Sequence, residues 1–242
     1  MSGPGHTNPA RVPPPAHVPP PARVPPPARV PAPTRMPAPA RMPEKFVAPD
    51  LAALAALVRD ARVGHFAFVE DGQPRVLPIA IVTDGAHILL HGSTGSHWLR
   101  LLATGVPVAL SVTAIDALVI ARSAFESSMN YRSAVLFGSC APVIDQVAAL
   151  DLVTEGLIPG RVVELRSHSA KELAATLVLR MTVDEWTLKV SDGWPEDGPA
   201  DVAGSAWAGI LPLRTGYAEA IAAPDLASGI SKPESVLAML DG

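Results

Sequence analysis

A single cysteine, Cys140, stands among 242 residues, which excludes an intramolecular disulfide framework and any metal site built from several thiolates. In its apolar surroundings it reads as a buried core thiol. Aromatic residues are scarce at 5% of the chain, so a core must be assembled mainly from Ala, Val, Leu and Ile. No run of 18 apolar residues exists, so no transmembrane helix is expected. The N-terminus lacks the apolar segment of a secretory signal, and the expected location is cytoplasmic. Basic charge is also lacking where it would matter. Residues 1–43 carry Arg11, Arg23, Arg29, Arg35 and Arg41 and no acid, while the chain totals −4, leaving −9 for residues 44–242. An acidic body argues against nucleic acid as a partner, because a phosphate backbone requires a basic footprint.

Proline is abundant but confined: 16 of the 27 lie in residues 1–43. From Arg11 the sequence repeats every six residues as RVPPPA, HVPPPA, RVPPPA, RVPAPT and RMPAPA. Proline at this density precludes helices and sheet ladders, so residues 1–43 are expected to be a disordered tail with local polyproline II character. A solvated spacer, a ligand for a proline-recognising partner, and translation upstream of a true start at Met36 or Met42 are the three readings open to it.

Residues 44–225 read as one folded domain and 226–242 as an extension with a short helix. Asp50 can cap a helix over 51–62, with Gly64 just past its end. HFAFVE and residues 75–82 flank Asp71-Gly72 as a hairpin. Pro78 interrupts the return strand and implies an edge, a bulge, or a place where the missing N–H faces something other than a neighbouring strand. Asp84-Gly85 turns into a strand at 87–91, and Ser96 can cap a helix ending near Gly105. Strands are expected at 107–114 and 117–123, joined through Ile115-Asp116, and at 131–143. A helix follows from Asp145, then a capping box at Ser169–Glu172, and strands at 176–183, 186–190 and 207–213. Strands joined by short turns with few helices predict a mainly β, antiparallel barrel or sandwich. No glycine-rich phosphate loop follows a strand, so a Rossmann domain is not expected.

Three segments hold candidate chemistry. His91-Gly92-Ser93-Thr94-Gly95-Ser96-His97 joins a strand to a helix, and its hydroxyls and free N–H groups suit a phosphate; a plain capped connection is the alternative. Asn130-Tyr131-Arg132-Ser133 opens an apolar strand in which Arg132 must pair with something or point outward; an anion held by Arg132 and Ser133 is one way to satisfy it, a surface arginine the other. Trp207-Ala208-Gly209-Ile210-Leu211-Pro212-Leu213 reads by itself as core. His91 and His97 have no third ligand at metal spacing, so no metal site is expected. His65 and His87 read as strand residues with hydrogen-bonded rings.

In order along the chain, GHFAFVEDGQPRVLPIAI, ILLHGSTGSHWLRLL, LVIARSAFESSMNYRSAVLFG, GLIPGR, KELAAT and WAGILPL resemble the FMN-binding split-barrel family related to pyridoxamine 5′-phosphate oxidase, in its flavin-nucleotide-binding and nitroimidazole-reductase-like branch. The resemblance implies an antiparallel FMN-binding split β-barrel that forms a homodimer, with FMN in a cleft shared by both chains. It implies phosphate contacts from Ser93, Thr94, Ser96 and Arg132 with Ser133 close by. It further implies a flavin ring beside the Pro78-Ile79-Ala80 backbone, His91 beside the flavin as a weak catalytic candidate, and Trp207 from the partner chain. Gly92 lies in the same loop. His97 replaces the family's frequent Lys or Arg, which implies weaker FMN binding. The implied activity is oxidation or reduction of a small molecule, with a non-catalytic flavin- or haem-binding module as the alternative.

Overall fold

In the computed structural model, which describes residues 45–48 and 50–241, a two-residue strand β1 (Phe46–Val47) precedes helix α1 (Leu51–Ala61). The tail at 1–43, with its expected disorder and repeat conformation, lies outside the described residues. The Asp50 carboxylate accepts from the Ala52 N–H at 2.9 Å, satisfying one of the donors a helix start leaves free. Three- and four-residue spacing then buries Leu54, Leu57 and Val58 on one stripe. The residue that ends α1 in the left-handed region is Arg62 (φ 57°), not a glycine. Gly64 serves packing instead. A Cβ there would lie 2.6 Å from Leu110 Cδ1 and 2.9 Å from Ile81 Cδ1.

β2 (Val63–Glu70) and β3 (Gln73–Ala80) form the hairpin expected from Asp71-Gly72. Both turn residues have positive φ, 50° and 74°, as a type I′ turn requires. Among the described residues β3 pairs only with β2, so Pro78 lies on an edge strand, where a missing N–H is tolerated.

β4 (Val82–Thr83), β5 (His87–Ser93), α2 (His97–Ala103), β6 (Pro107–Ile120) and β7 (Ser128–Pro142) follow. The two strands expected at 107–114 and 117–123 are one. The register slips between Ile115 and Ala117, leaving Asp116 as a bulge inside β6, which bends the strand without ending it. Helix α3 (Gln146–Leu157) and a 3-10 turn (Val162–Glu164) lead to α4 (Ala170–Ala175), which opens with the expected capping box of Ser169 and Glu172. β8 (Thr176–Thr182), β9 (Glu185–Ser191), α5 (Pro199–Val202), β10 (Gly209–Pro212) and α6 (Glu234–Leu240) complete the chain. β10 is shorter than expected, and Trp207 lies before it.

The sheet is antiparallel, in the order β3-β2-β6-β7-β8-β5-β4. The long strands β6 and β7 are its spine. β6 pairs with β2 through its first half and with β10 through its second, while β7 pairs with β9 over Tyr131–Phe137 and with β8 over Cys140–Pro142. The two ends of the path, β3 and β4, are separated in sequence only by Ile81, yet no ladder joins them. The sheet therefore curls almost to closure and stays split. Leu54, Leu57, Phe66, Leu90, Leu99, Leu110, Leu136 and Met181 fill its interior. A smaller cluster of Val82, Leu89, Leu150, Val153 and Val178 seats α3 on the outside of β5 and β8. No helix among the described residues is long and apolar enough to cross a membrane.

Candidate functional site

The candidate residues fall in three places within one protomer. The first is the β5–α2 loop. Gly95 N–H bonds to Ser93 Oγ at 3.1 Å, and Ser96 N–H to the Ser93 carbonyl at 2.9 Å. Ser96 stands at the N-cap of α2 as expected, but its hydroxyl makes no capping bond to the helix. Thr94 is tied by its N–H and its hydroxyl to the Ala175 carbonyl, and Arg100 donates to the Thr94 carbonyl at 2.9 Å. His97 is exposed and pairs with Glu70 at the end of β2, 2.7 Å away. That contact pulls the Glu70 carboxyl below its ordinary range, and Arg75 adds to the effect. An incoming phosphate would have to share His97 with Glu70.

His91 precedes the loop. It is the register partner of Val178 and shares a face with Leu89, the face that α3 covers. Its Nδ1 is buried with no hydrogen-bond partner among the described residues, and desolvation lowers its pKa. Within this chain burial therefore disfavours the charged ring.

The second place is the Asp116 bulge. Arg132 Nε and Nη2 donate to the Asp116 carboxylate at 3.0 and 2.7 Å, and Nη1 donates to Asp60 at 2.8 Å. Both carboxylates stabilise the cation and raise its pKa, Asp116 the more. The Asp116 carbonyl accepts from Leu213 N–H at 2.9 Å, so the bulge also anchors the segment after β10. An open cleft of about 680 Å³ lies here, lined by Arg59, Asp60, Arg62, Asp116, Arg132 and Tyr217, with the Arg62 guanidinium 5.2 Å from the Tyr217 ring centre. The sequence required Arg132 to pair or to point outward, and inside this chain it pairs with two aspartates. Asp60 is 72 residues away and carried no local signal.

Arg132 does not meet the serine loop within one chain. It sits opposite Ala114 of β6, whereas Glu70, which holds His97, lies beyond the Ala67–Ala109 pair. Eight strand positions at ~3.3 Å each put roughly 20 Å or more between them. Nor do Arg132 and Ser133 point the same way, since neighbours in a strand face opposite sides.

The third place is the outer face of the sheet. Val63, His65 and Ala67 of β2 point away from the buried Gly64, Phe66 and Phe68. Their partners are Ala80, Pro78 and Val76 on β3 and, for His65 and Ala67, Ser111 and Ala109 on β6. Val135 and Ser133 of β7 extend the face through Ser111 and Thr113. It thus gathers Pro78, Ala80 and Ser133, while Ile79, opposite Gly64, turns inward. His87 has the expected ring bond, to Asp84 at 3.0 Å. His65 has none among the described residues, because its ladder neighbours Pro78 and Ser111 leave it facing outward. Trp207 is mostly exposed and folds back over Gly209, where a Cβ would lie 2.8 Å from the indole.

A family profile described as pyridoxamine 5′-phosphate oxidase matches residues 50–190. The chain belongs to that family. Among solved structures, the FAD and haem binding protein from Mycobacterium smegmatis is 46% identical, with a TM-score of 0.78 over 81% of this chain and 97% of its own. A flavocytochrome from Azotobacter vinelandii is 30% identical, with a TM-score of 0.75 over 82% of this chain and 94% of its own. A candidate 5-nitroimidazole antibiotic resistance protein from Bacteroides thetaiotaomicron shares the fold, at 19% identity and a TM-score of 0.51 over 60% of this chain and 86% of its own. No curated protein matches the chain. The family's split barrel agrees with the open β3–β4 seam and with the expected antiparallel fold.

Proposed function

We propose that the protein is a flavin-dependent oxidoreductase that binds FMN between two copies of the chain and acts on a small molecule. The observation that carries this reading is the sheet itself. β3 offers an edge without a strand partner among the described residues, whose free backbone groups suit the polar rim of a flavin. Beside it lies an uncharged outer face of Val63, Ala67, Val76 and Ala109, on which Val63 and Val76 are exposed. An exposed apolar sheet face of this kind marks an interaction surface, and a second copy would cover it. The serine loop and the Arg132 segment, apart in one protomer, would then be brought together only across two chains. Phosphate anchoring falls to Ser93, Thr94 and Ser96, whose loop is tied by hydrogen bonds and whose Ser96 hydroxyl has no hydrogen-bond partner among the described residues.

The flavin supplies the redox chemistry when bound; this chain supplies binding, orientation and exclusion of water. His91, whose charged form burial disfavours, can donate or accept one hydrogen bond. Purified protein that is yellow, releases FMN on denaturation and is bleached by a nicotinamide donor would support the reading. A colourless protein that gains no flavin absorbance on adding FMN would end it.

A second reading is a non-catalytic binding module, and the relative at 46% identity, described as binding FAD and haem, favours those two groups as what it would hold. Extraction that yields FAD, with a Soret band in the purified or hemin-supplemented protein and no nicotinamide-driven bleaching, would select it.

A further inference from the structure

We propose that the cleft at the Asp116 bulge is a second ligand site, which takes a nucleoside diphosphate such as the adenosine half of a dinucleotide. At about 680 Å³ the cleft falls within the size range of small-molecule pockets. Its walls are the end of α1, the bulged part of β6, the start of β7 and the segment after β10. Of its lining residues only Thr113 also belongs to the outer face assigned above to a second copy.

Five charged side chains line the cleft, and they divide into two groups. Arg132 is closed on Asp116 and Asp60, which take its Nε, Nη1 and Nη2. Arg59 and Arg62 have no carboxylate partner among the described residues. Three arginines against two aspartates leave the cleft at +1, in a body that carries −9. Arg62 Nε donates to the Arg59 carbonyl at 3.4 Å, which holds the side chain against the helix end and leaves both Nη groups for a ligand. Two guanidiniums from one helix end match two adjacent phosphates, each presenting a fork of donors.

The backbone gives a second reason. Arg62 ends α1 at φ 57°, in the left-handed region where glycine or asparagine costs less. Arginine at this position carries a backbone cost and sets a guanidinium in the cleft, the pattern of a residue that serves binding. The third reason is aromatic. The Arg62 guanidinium lies 5.2 Å from the Tyr217 ring centre, and Tyr217 is half exposed, so the two planes offer a base a surface to stack on. Thr113 and Thr215 add hydroxyls suited to ribose or phosphate oxygens. A simple dicarboxylate would use the arginines and leave the aromatic plane idle. Two molecules present this chemistry: FAD, which the relative at 46% identity is described as binding, and a nicotinamide dinucleotide that reduces the flavin. These two sources rest on the flavin reading above; the site itself does not.

The test is calorimetric titration of the full chain with ADP at low salt, after exchange of any bound flavin for FMN and again without flavin. ADP should fill one site per chain whether or not FMN is present, and bind more tightly than adenosine or pyrophosphate. Arg59→Gln and Arg62→Asn, the latter tolerant of the left-handed backbone, should each weaken ADP about tenfold. Tyr217→Leu should weaken ADP and leave pyrophosphate unchanged. Arg166→Ala, which removes an exposed arginine outside the cleft, should match the wild type. In the Arg59→Gln/Arg62→Asn protein, a loss of FAD affinity with FMN affinity kept assigns the site to the flavin's own adenylate. A raised KM for the nicotinamide donor with both flavins unaffected assigns it to the donor. A protein that takes no flavin ends the reading above, while the ADP titration still tests the cleft. The proposal is overturned by ADP that does not saturate, by displacement of ADP one for one by FMN, by pyrophosphate binding as tightly as ADP, or by folded arginine variants with wild-type ADP affinity.

Discussion

Arg132 and Asp116 can be separated by a double-mutant cycle, and the structure fixes what the cycle should return. Arg132 meets Asp116 through two nitrogens at 3.0 and 2.7 Å, and Asp60 through a third at 2.8 Å. Charge-assisted hydrogen bonds contribute ~1.5–3 kcal/mol where water is excluded. Here the two side chains keep 28% and 38% of their surface, so solvent screening lowers the worth of the pair to about 1–2 kcal/mol. The Asp60 contact, more exposed, should add no more than ~0.5 kcal/mol. With an m-value near ~3 kcal/mol/M for a body of this size, Asp116→Ala should lower the urea midpoint by about 0.5 M. Arg132→Ala should do about the same, and the double variant should be scarcely worse than either single one. Flavin titration of the same proteins reads the second role. If Arg132 also grips a phosphate, Arg132→Ala should weaken FMN binding by ~2–3 kcal/mol, or roughly 30–150-fold, whereas Asp116→Ala should not weaken it by as much as tenfold. Urea midpoints that fall additively, with a coupling below ~0.3 kcal/mol, would refute the pairing. Unchanged FMN affinity in a folded Arg132→Ala protein would take that residue out of the cofactor site.

Gly64→Ala should cost ~1–3 kcal/mol by overpacking, since its Cβ would press on the ends of Leu110 and Ile81; chemical denaturation checks it, and a stability equal to wild type would show that these side chains yield freely. Desolvation lowers the pKa of His91 in the folded chain below its ordinary 6.5, so the unfolded chain takes up the proton more readily. Stability should therefore be full above that value and decline as the pH falls through and below it. His91→Phe should flatten the decline, and an equally steep acid limb in that variant would show that other groups cause it. Burial pushes the Cys140 thiol up to about 12, so the native protein should resist thiol reagents at pH 8 and react once unfolded; rapid native labelling would contradict its burial.

Local chemistry carried much of this architecture in plain view. Asp50 capping α1, the positive-φ pair at Asp71-Gly72 and the capping box at Ser169 depend on residues close in sequence. So does the opposite facing of Arg132 and Ser133, which strand periodicity imposes on any such pair. The ordered motifs carried the family as well. Other outcomes needed the folded chain. Ile115-Asp116 looks like a joint between two strands because nothing local distinguishes a turn from a bulge; β7 and β10, bonding on either side, make β6 continuous. Gly64 resembles a helix stop until Leu110 and Ile81 close over it.

The candidate site divides along the same line. Its hydroxyls and its arginine could be named as candidates from residue types, its tryptophan only through the family resemblance. Which partner each takes was settled by chain segments far away: Asp60 for Arg132, Glu70 for His97, α3 for the face of His91. The reason is physical. Caps and turns are short-range contests among a few dihedrals and hydrogen bonds, whereas a charged or polar side chain settles on whichever opposite group the sheet's register brings within ~3 Å.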